Sequence, residues 1–307
     1  MHRRLIAALL ILIGLALPAA AQERVTLGVG RLFTNDVFGD GQDRWHTGSY
    51  VASWVRGAEG TLGLPAEFGE VIEYRFSTRI IAPESLTAPA PGDRRYAGLM
   101  SLGAYSHFSQ DGVDFSLGSE LVLSGPATGL AKFQTDFHDL FGLPTPSGAV
   151  RAGQIANAVH PVLAFEAARP IAFGGLEGVR LRPFVQGRAG DETYLRAGVD
   201  LLIGPEFASG ILARDETTGI LYQTTPKAVG RGWSFLVGAD ATRVLQSAWL
   251  PSPGGPAPRP FRSRARAGLR WQGDHMGLFY GATWMGPEFA GQTSGQVVGS
   301  LSLRWRF

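Results

Sequence analysis

The last twelve residues of the chain, QVVGSLSLRWRF, alternate between two kinds of side chain. One set of alternate positions is mostly apolar and ends in Trp305 and Phe307, whereas the other set carries Arg304 and Arg306. Alternation with a period of two places successive side chains on opposite faces of a β-strand. An apolar, aromatic face opposite an arginine face is typical of a strand between lipid and a polar interior. The segment therefore predicts the closing strand of a membrane-spanning β-barrel.

The same alternation recurs in at least three earlier segments, at residues 71–80, 179–188 and 261–272. In a soluble β-sandwich the apolar face would cover a core and the charged face would meet water. Aromatic strand ends and 42 glycines favour the inverse arrangement, a closed barrel with a charged interior. The predicted fold class is therefore all-β, an antiparallel transmembrane β-barrel of about twelve strands. The strands are expected near residues 24–34, 48–57, 69–83, 94–109, 113–125, 155–171, 177–190, 192–205, 232–245, 260–273, 275–286 and 296–307.

Twelve strands is an even number, so both chain ends are expected on the same side of the membrane; with both ends in the periplasm, odd-numbered strands run outward. The predicted outer loops are residues 35–47, 84–93, 126–154, a tight turn near 191, 246–259 and 287–295. Residues 206–231 fit this scheme poorly, because periplasmic turns are expected to be short. They are predicted to form a long periplasmic turn or to extend the flanking strands.

The first 21 residues resemble a secretory signal peptide. Two arginines precede an apolar run from Leu5 to Leu17, and Ala19, Ala20 and Ala21 follow it as an A-x-A cleavage site. The expected domains are thus a signal peptide at 1–21 and an outer-membrane barrel at 22–307. Cysteine is absent, which excludes disulfides and thiol chemistry, and a net charge of +2 is too small to indicate nucleic-acid binding.

The third outer loop contains a helix-like stretch, LAKFQTDFHDLFG, at residues 130–142. Gln134 and His138 are four residues apart, so they share one face of this short helix. The remaining apolar stripe is suited to the barrel rim or the outer leaflet. It consists of Phe133, Phe137, Leu140 and Phe141.

The first outer loop is rich in polar side chains, in the stretch TNDVFGDGQDRWHTG at residues 34–48. Histidine acts as a general base near neutral pH, and Asn and Asp oxygens bind hard cations such as Ca²⁺. Asp and Gly also favour plain solvated turns, and the Asp36, Asp40 and Asp43 spacing does not match an EF-hand. No G-x-S-x-G sequence is present, so a hydrolase nucleophile elbow is not expected.

Four short motifs appear in a fixed order: ND at 35–36, DRWHTG at 43–48, DRRYAG at 93–98 and Q-x-x-x-H at 134–138. In this combination the chain resembles the outer-membrane lipid A 3′-O-deacylase family. The resemblance implies a twelve-stranded barrel that hydrolyses the 3′-O-linked acyl (acyloxyacyl) ester of lipopolysaccharide in the outer leaflet and depends on Ca²⁺. The expected partner is lipid A, and we expect a membrane-embedded monomer.

The resemblance also assigns roles to individual residues. His138 would be the general base that activates a water molecule, and Gln134 would orient the site from the same helix face. Asn35, Asp36 and Thr47 would line the cation and water positions, with Asp36 and Asn35 as the expected metal ligands.

One feature departs from the family pattern. Family members can carry an oxyanion-binding lysine in the second outer loop, whereas residues 84–92 contain none. Arg94 is the first candidate to replace it, and Lys132 is the second, because Lys132 lies on a different helix face from Gln134.

Two other functions remain open from the sequence. An outer-membrane phospholipase would share the ester chemistry but rely on a serine–histidine pair, and no such pair stands out. A passive pore with an arginine-rich lumen would favour anions, but a twelve-stranded barrel crowded with charged side chains is expected to be plugged by them.

Overall fold

A computed structural model of the chain describes residues 24–176, 178–207, 210–225, 231–250 and 255–305. The predicted signal peptide and Phe307 lie outside these residues. Twelve long antiparallel strands form a closed barrel, in which each strand pairs with the next and the first pairs with the last. The strands are β1 (Val25–Asn35), β2 (Trp45–Gly57), β3 (Ile72–Ala82), β4 (Ala97–Gln110), β5 (Val113–Ser124), β6 (Ala158–Ala168), β7 (Val179–Ala189), β8 (Glu192–Ile203), β9 (Gly232–Ser247), β10 (Phe261–Gln272), β11 (Met276–Met285) and β12 (Gln296–Trp305).

The predicted strands are confirmed, with ends that differ from the observed ones by three residues or fewer. Side-chain burial alternates as expected: in β10, Phe261 and Leu269 face outward, while Arg264, Arg266 and Arg270 are buried in the lumen. Buried arginines require acidic partners, because an unpaired charge away from water is costly. Arg266 accordingly bridges Asp240 of the adjacent strand β9 and Asp200 of the next strand, β8.

The expectation for residues 206–231 is wrong. The described part of this segment neither stays in the periplasm nor extends the strands; it folds into the lumen as a two-stranded hairpin, Leu212–Arg214 paired with Leu221–Gln223, here called the lumen hairpin. The apolar side chains of the lumen hairpin are buried against the inner wall of the barrel. The resulting core cluster contains Leu32, Val51, Ala213, Ile220, Tyr222 and Phe279.

The lumen hairpin also completes the ion-pair network. Arg214 binds Glu166 and Asp200, so the hairpin and the wall are joined by charge as well as by apolar contact. A lumen cavity of about 130 Å³ lies between the hairpin and strands β3–β8. This filling agrees with the prediction of a plugged barrel, although a chain segment as well as wall side chains forms the plug.

The loop between β5 and β6 contains two helices, α1 (Leu130–Phe141) and α2 (Gly148–Ala152). The predicted helix is thus confirmed. Gly129 and Gly142 flank α1 with φ of 72° and 67°, a left-handed conformation that glycine adopts most easily. No helix among the described residues has the length and apolarity needed to cross a membrane.

Helix α1 lies against the outer ends of β3 and β4, on the lipid-facing side of the wall. Leu130 packs there with Ile80, Tyr96 and Val150. Gly98 permits this approach, because a Cβ at that position would lie 2.7 Å from Thr128 Oγ1. The fold therefore places one face of α1 over the outer ends of β2, β3 and β4.

Candidate functional site

The predicted catalytic residues of α1 face the barrel. Gln134 and His138 are 4% and 6% exposed, whereas Phe133 and Phe137 on the opposite side are exposed. The (i, i+4) spacing predicts the shared face, and packing on the wall decides that this face is the buried one. The helix thereby reaches the outer end of β2, where Gln134 contacts Thr47.

Gln134 connects α1 to the first loop. Its Nε2 atom donates hydrogen bonds to Thr47 Oγ1 at 3.5 Å and to Asp43 Oδ1 at 3.4 Å. Its Oε1 atom is buried without a hydrogen-bond partner in the described part of the chain. A buried acceptor in this state is costly, so Oε1 is suited to a donor that a water molecule or substrate supplies.

His138 is held through one ring nitrogen. Nδ1 lies 2.6 Å from the carbonyl oxygen of Pro144 and 3.5 Å from Asp43 Oδ2. A carbonyl oxygen can only accept, so Nδ1 carries the proton in this arrangement and Nε2 keeps its lone pair. The Nε2 atom has no hydrogen-bond partner among the residues described. The neutral imidazole is therefore set up to accept a proton at Nε2.

Asp43 is a site residue that sequence reasoning missed. Its place within DRWHTG was the available signal, but a loop aspartate is more often part of a solvated turn. The structure instead places its carboxylate against both Gln134 and His138. Burial raises the pKa of Asp43, while His138 and the Gln134 hydrogen bond act in the opposite direction.

The backbone around Asp43 is strained. Asp43 and Trp45 have φ of 49° and 53°, in the left-handed region that bulky residues rarely adopt. Such strain persists only where surrounding contacts over-determine the conformation, and it is common at functional sites. Here it turns the Asp43 carboxylate toward α1 just before β2 begins.

Asp36 is a buried carboxylate beside this loop. Its Oδ2 atom accepts a hydrogen bond from the backbone N–H of Arg44 at 2.9 Å, and it forms no ion pair within the described ranges. Burial, together with the charges of Asp43 and Asp40, raises the pKa of Asp36 to about 8, although the backbone hydrogen bond from Arg44 acts in the opposite direction. A hard cation would relieve this repulsion, so the donor set fits Ca²⁺ in charge and chemistry.

Asn35 helps to present Asp36. Its Oδ1 atom accepts from the N–H of Val37 at 2.8 Å and caps the 3₁₀ turn Asp36–Phe38. Gly48 is its strand partner, and a Cβ there would lie 3.3 Å from the Asn35 amide nitrogen. In the described residues no group of three or more His, Cys, Asp or Glu side chains could hold a metal ion. A cation at Asp36 would therefore need other oxygen ligands as well, such as amide oxygens or water.

Arg94 and Lys132 are not brought to the Gln134–His138 pair. Arg94 is 3% exposed and donates to Glu288 Oε2 at 2.6 Å, so its side chain turns toward the last outer loop. Glu288 also binds His46 at 2.9 Å. Lys132 is exposed and pairs with Asp136 one turn along α1. The roles expected of Arg94 and Lys132 stay predictions.

Tyr96 is a second residue that sequence reasoning missed, although it lies within DRRYAG. Its side chain is 1% exposed between β4 and α1, and its hydroxyl has no hydrogen-bond partner among described residues. Burial and the charge of Asp43 raise its pKa. A neutral phenol beside Asp43 is a potential donor to a group that enters the site.

Comparison with known protein families gives a match over nearly the whole chain. The sequence profile of a family described as "Outer membrane protein LpxR" matches residues 5–307. Among solved structures, LpxR from Salmonella typhimurium is similar, with a TM-score of 0.73 and 15% identity over 91% of this chain and 100% of that chain. That identity supports the shared fold alone. A comparison with curated proteins finds no significant match.

Other barrels among the solved structures are much less similar. The β domain of the Bordetella autotransporter BrkA has a TM-score of 0.39 and 12% identity, over 92% of this chain and 99% of that chain. The translocator domain of NalP from Neisseria meningitidis has a TM-score of 0.34 and 12% identity, over 98% of this chain and 97% of that chain. These values are too low to support a functional comparison.

Proposed function

Since this chain belongs to the LpxR family of outer-membrane proteins, we propose that it is a lipid A deacylase that cleaves the 3′-O-linked acyl ester by activating a water molecule with His138. The observation that carries this proposal is the state of the His138 ring. Nδ1 donates to the carbonyl of Pro144, and Nε2 is left to act as a base on the lipid-facing side of the wall. A membrane-embedded ester is the substrate that such a site can reach.

The chemistry follows general-base hydrolysis. His138 Nε2 takes a proton from water as the water oxygen attacks the ester carbonyl carbon, which forms a tetrahedral intermediate with a negatively charged oxygen. When the intermediate collapses, the bond between the former carbonyl carbon and the sugar oxygen breaks, and the imidazolium returns its proton to the departing sugar alkoxide. The products are a free fatty acid and the sugar hydroxyl.

Asp43 and Gln134 would position the reacting groups. The Asp43 carboxylate stabilises the imidazolium that forms on His138, because the two groups are 3.5 Å apart. Gln134 joins Thr47 and Asp43 through Nε2, which leaves Oε1 to accept from the attacking water. Asp36 and Asn35 would hold Ca²⁺; when bound, the ion would polarise the ester carbonyl and stabilise the negative oxygen.

The exposed face of α1 suits an outer-leaflet substrate. Phe133, Phe137, Leu140 and Phe141 are all exposed, and the rings of Phe137 and Phe141 are in contact, with centroids 4.8 Å apart and planes tilted by 50°. An apolar stripe beside a membrane-spanning wall is expected to enter the acyl region of the leaflet. The helix would thus keep the site at the depth of the acyl esters.

The phospholipase alternative gains no support. A serine–histidine contact does occur, between Ser124 Oγ and His160 Nε2 at 3.4 Å. Both residues lie at lumen-facing positions, on the same faces as Glu120 of β5 and Glu166 of β6, and His160 lies against the buried Trp249. A nucleophile there would not meet lipid.

The proposed activity can be tested with purified protein in lipid A micelles. We expect release of free fatty acid and a lipid A product smaller by one 3′-linked acyl group in mass spectrometry. The same protein in planar bilayers should show no steady ion conductance, since the lumen hairpin fills the barrel. Conductance without ester release would favour the pore and contradict the deacylase.

Arg94→Ala is expected to lower turnover by about tenfold or more, and Lys132→Ala by less than about twofold. Arg94 is a buried cation at the rim, whereas the Lys132–Asp136 pair is exposed and screened by water. Initial rates with lipid A micelles measure both effects. Wild-type rates in both variants would mean that neither residue replaces the missing lysine.

A further inference from the structure

Arg31 is an arginine on the lipid-facing side of β1. Its side chain is exposed on the same face as the exposed Val29 and Phe33, whereas Gly30 and Leu32 between them are buried. It forms no hydrogen bond or ion pair with any residue in the described ranges. In contrast, the lumen arginines such as Arg264 and Arg266 are buried and paired. A charged side chain against lipid is unfavourable near the bilayer centre, so Arg31 is expected to extend toward the headgroups.

An open groove of about 550 Å³ runs along the outer wall beside Arg31. The strand register defines its rows: Arg31 lies opposite Ala52, Ala52 opposite Phe76, and Phe76 opposite Leu102. The depression exists because the side chain of Ala52 is small. Trp54 and Tyr74 form the next row toward the periplasm. Its volume is within the range of ligand-binding pockets, and its surface is mostly apolar.

This groove lies directly below the candidate site. Asn35 and Gly48 form the row at the rim, Phe33 and Tyr50 the next row, and Arg31 the row after that. Four residues of a tilted strand correspond to a depth of about 10 Å. An extended arginine side chain spans much of this distance, so its guanidinium can reach the interface under the site.

We propose that this groove holds an acyl chain of the substrate and that Arg31 binds a phosphate group of the same lipid. The inference rests on the proposed function, since it names the features of lipid A that the site would recognise. An acyl chain matches the apolar rows, and a phosphate matches an unpaired guanidinium, which binds phosphate oxygens through forked hydrogen bonds. One molecule that is both acylated and phosphorylated satisfies both requirements.

Two features of the same barrel provide contrasts. Arg243 also faces outward, four residues from the outer end of its strand, but it stacks on Phe261 at 4.6 Å and does not line the groove. A second depression of similar size over β7–β12 has no exposed charged side chain. The combination of groove and free cation thus occurs under the site.

The test compares Arg31→Met with the matched control Arg243→Met, on phosphorylated and dephosphorylated lipid A in neutral detergent micelles. Arg31→Met is expected to lower kcat/KM for phosphorylated lipid A by about tenfold or more, the scale of a lost charge-assisted hydrogen bond, and to leave the dephosphorylated substrate within about twofold. Arg243→Met should change neither value. An equal loss on both substrates, or no loss, overturns the phosphate assignment; the micelles contain no other phosphate.

A binding measurement separates this inference from the proposed function. In the His138→Ala background, native mass spectrometry should detect phosphorylated lipid A retained by the protein, and Arg31→Met should reduce the retained fraction. If the wild-type protein hydrolyses no lipid A but retention depends on Arg31, the deacylase proposal fails and the groove stands. Retention that is unchanged by Arg31→Met overturns the groove proposal, whatever the activity.

Discussion

His138→Ala is expected to lower the rate of lipid A deacylation by ~10²-fold or more, which corresponds to about 2.7 kcal/mol of transition-state stabilisation. The loss arises because alanine cannot take the proton from water, whereas the ester and the rim residues remain in place. The contacts of Nδ1 are with Pro144 and Asp43, which lie in loops outside the strands, so we expect the barrel of this variant to fold. Initial rates of fatty acid release measure the effect.

The matched control is His275→Ala. His275 is exposed in the turn between β10 and β11, at the opposite end of the barrel. This variant should retain wild-type activity, and both variants should show the heat-dependent gel mobility of a folded barrel. Near-normal turnover by folded His138→Ala would remove His138 from the mechanism.

Asp36→Ala is expected to abolish Ca²⁺ binding. The activity of this variant should also fail to recover when Ca²⁺ is added. The wild-type protein should lose activity in chelator and regain it with Ca²⁺, because the cation would balance the repulsion among Asp36, Asp40 and Asp43. Without the Asp36 carboxylate the site lacks its buried anionic ligand. Equilibrium dialysis with Ca²⁺ and the rate after Ca²⁺ addition measure the two losses separately.

Asp139→Ala serves as the control, because it also removes an acidic side chain at the outer rim of the barrel. Asp139 is exposed on α1 next to His138, so its removal should leave Ca²⁺ binding and recovery intact. Full wild-type activity in chelator would contradict a metal-dependent site. Normal Ca²⁺ recovery of Asp36→Ala would move the cation elsewhere.

The strands and α1 could be predicted from the sequence because they depend on local periodicity. Alternation of apolar and charged residues in segments such as 261–272 specified the strand conformation and also which side chains face lipid and which face the lumen. Closure of the barrel required only an even number of strands. The pairing of Gln134 with His138 was predictable for the same reason, since four residues make one helical turn.

The rest of the site depends on contacts between distant segments, which local patterns do not encode. Asp43 reaches Gln134 across 91 residues of sequence, and Arg94 is drawn to Glu288 across 194 residues, so only the assembled rim decides which side chains meet. The lumen hairpin shows the same limit, because its short strands resemble a turn in the sequence. They fold inward because the closed barrel gives Ile220 apolar neighbours and gives Arg214 an acidic partner, which the periplasm does not. The sequence by itself therefore determined the barrel wall and the face of α1 that carries Gln134 and His138. The tertiary structure decided what fills the barrel and which loop residues reach His138, because burial and charge pairing are settled only when distant chain segments come together.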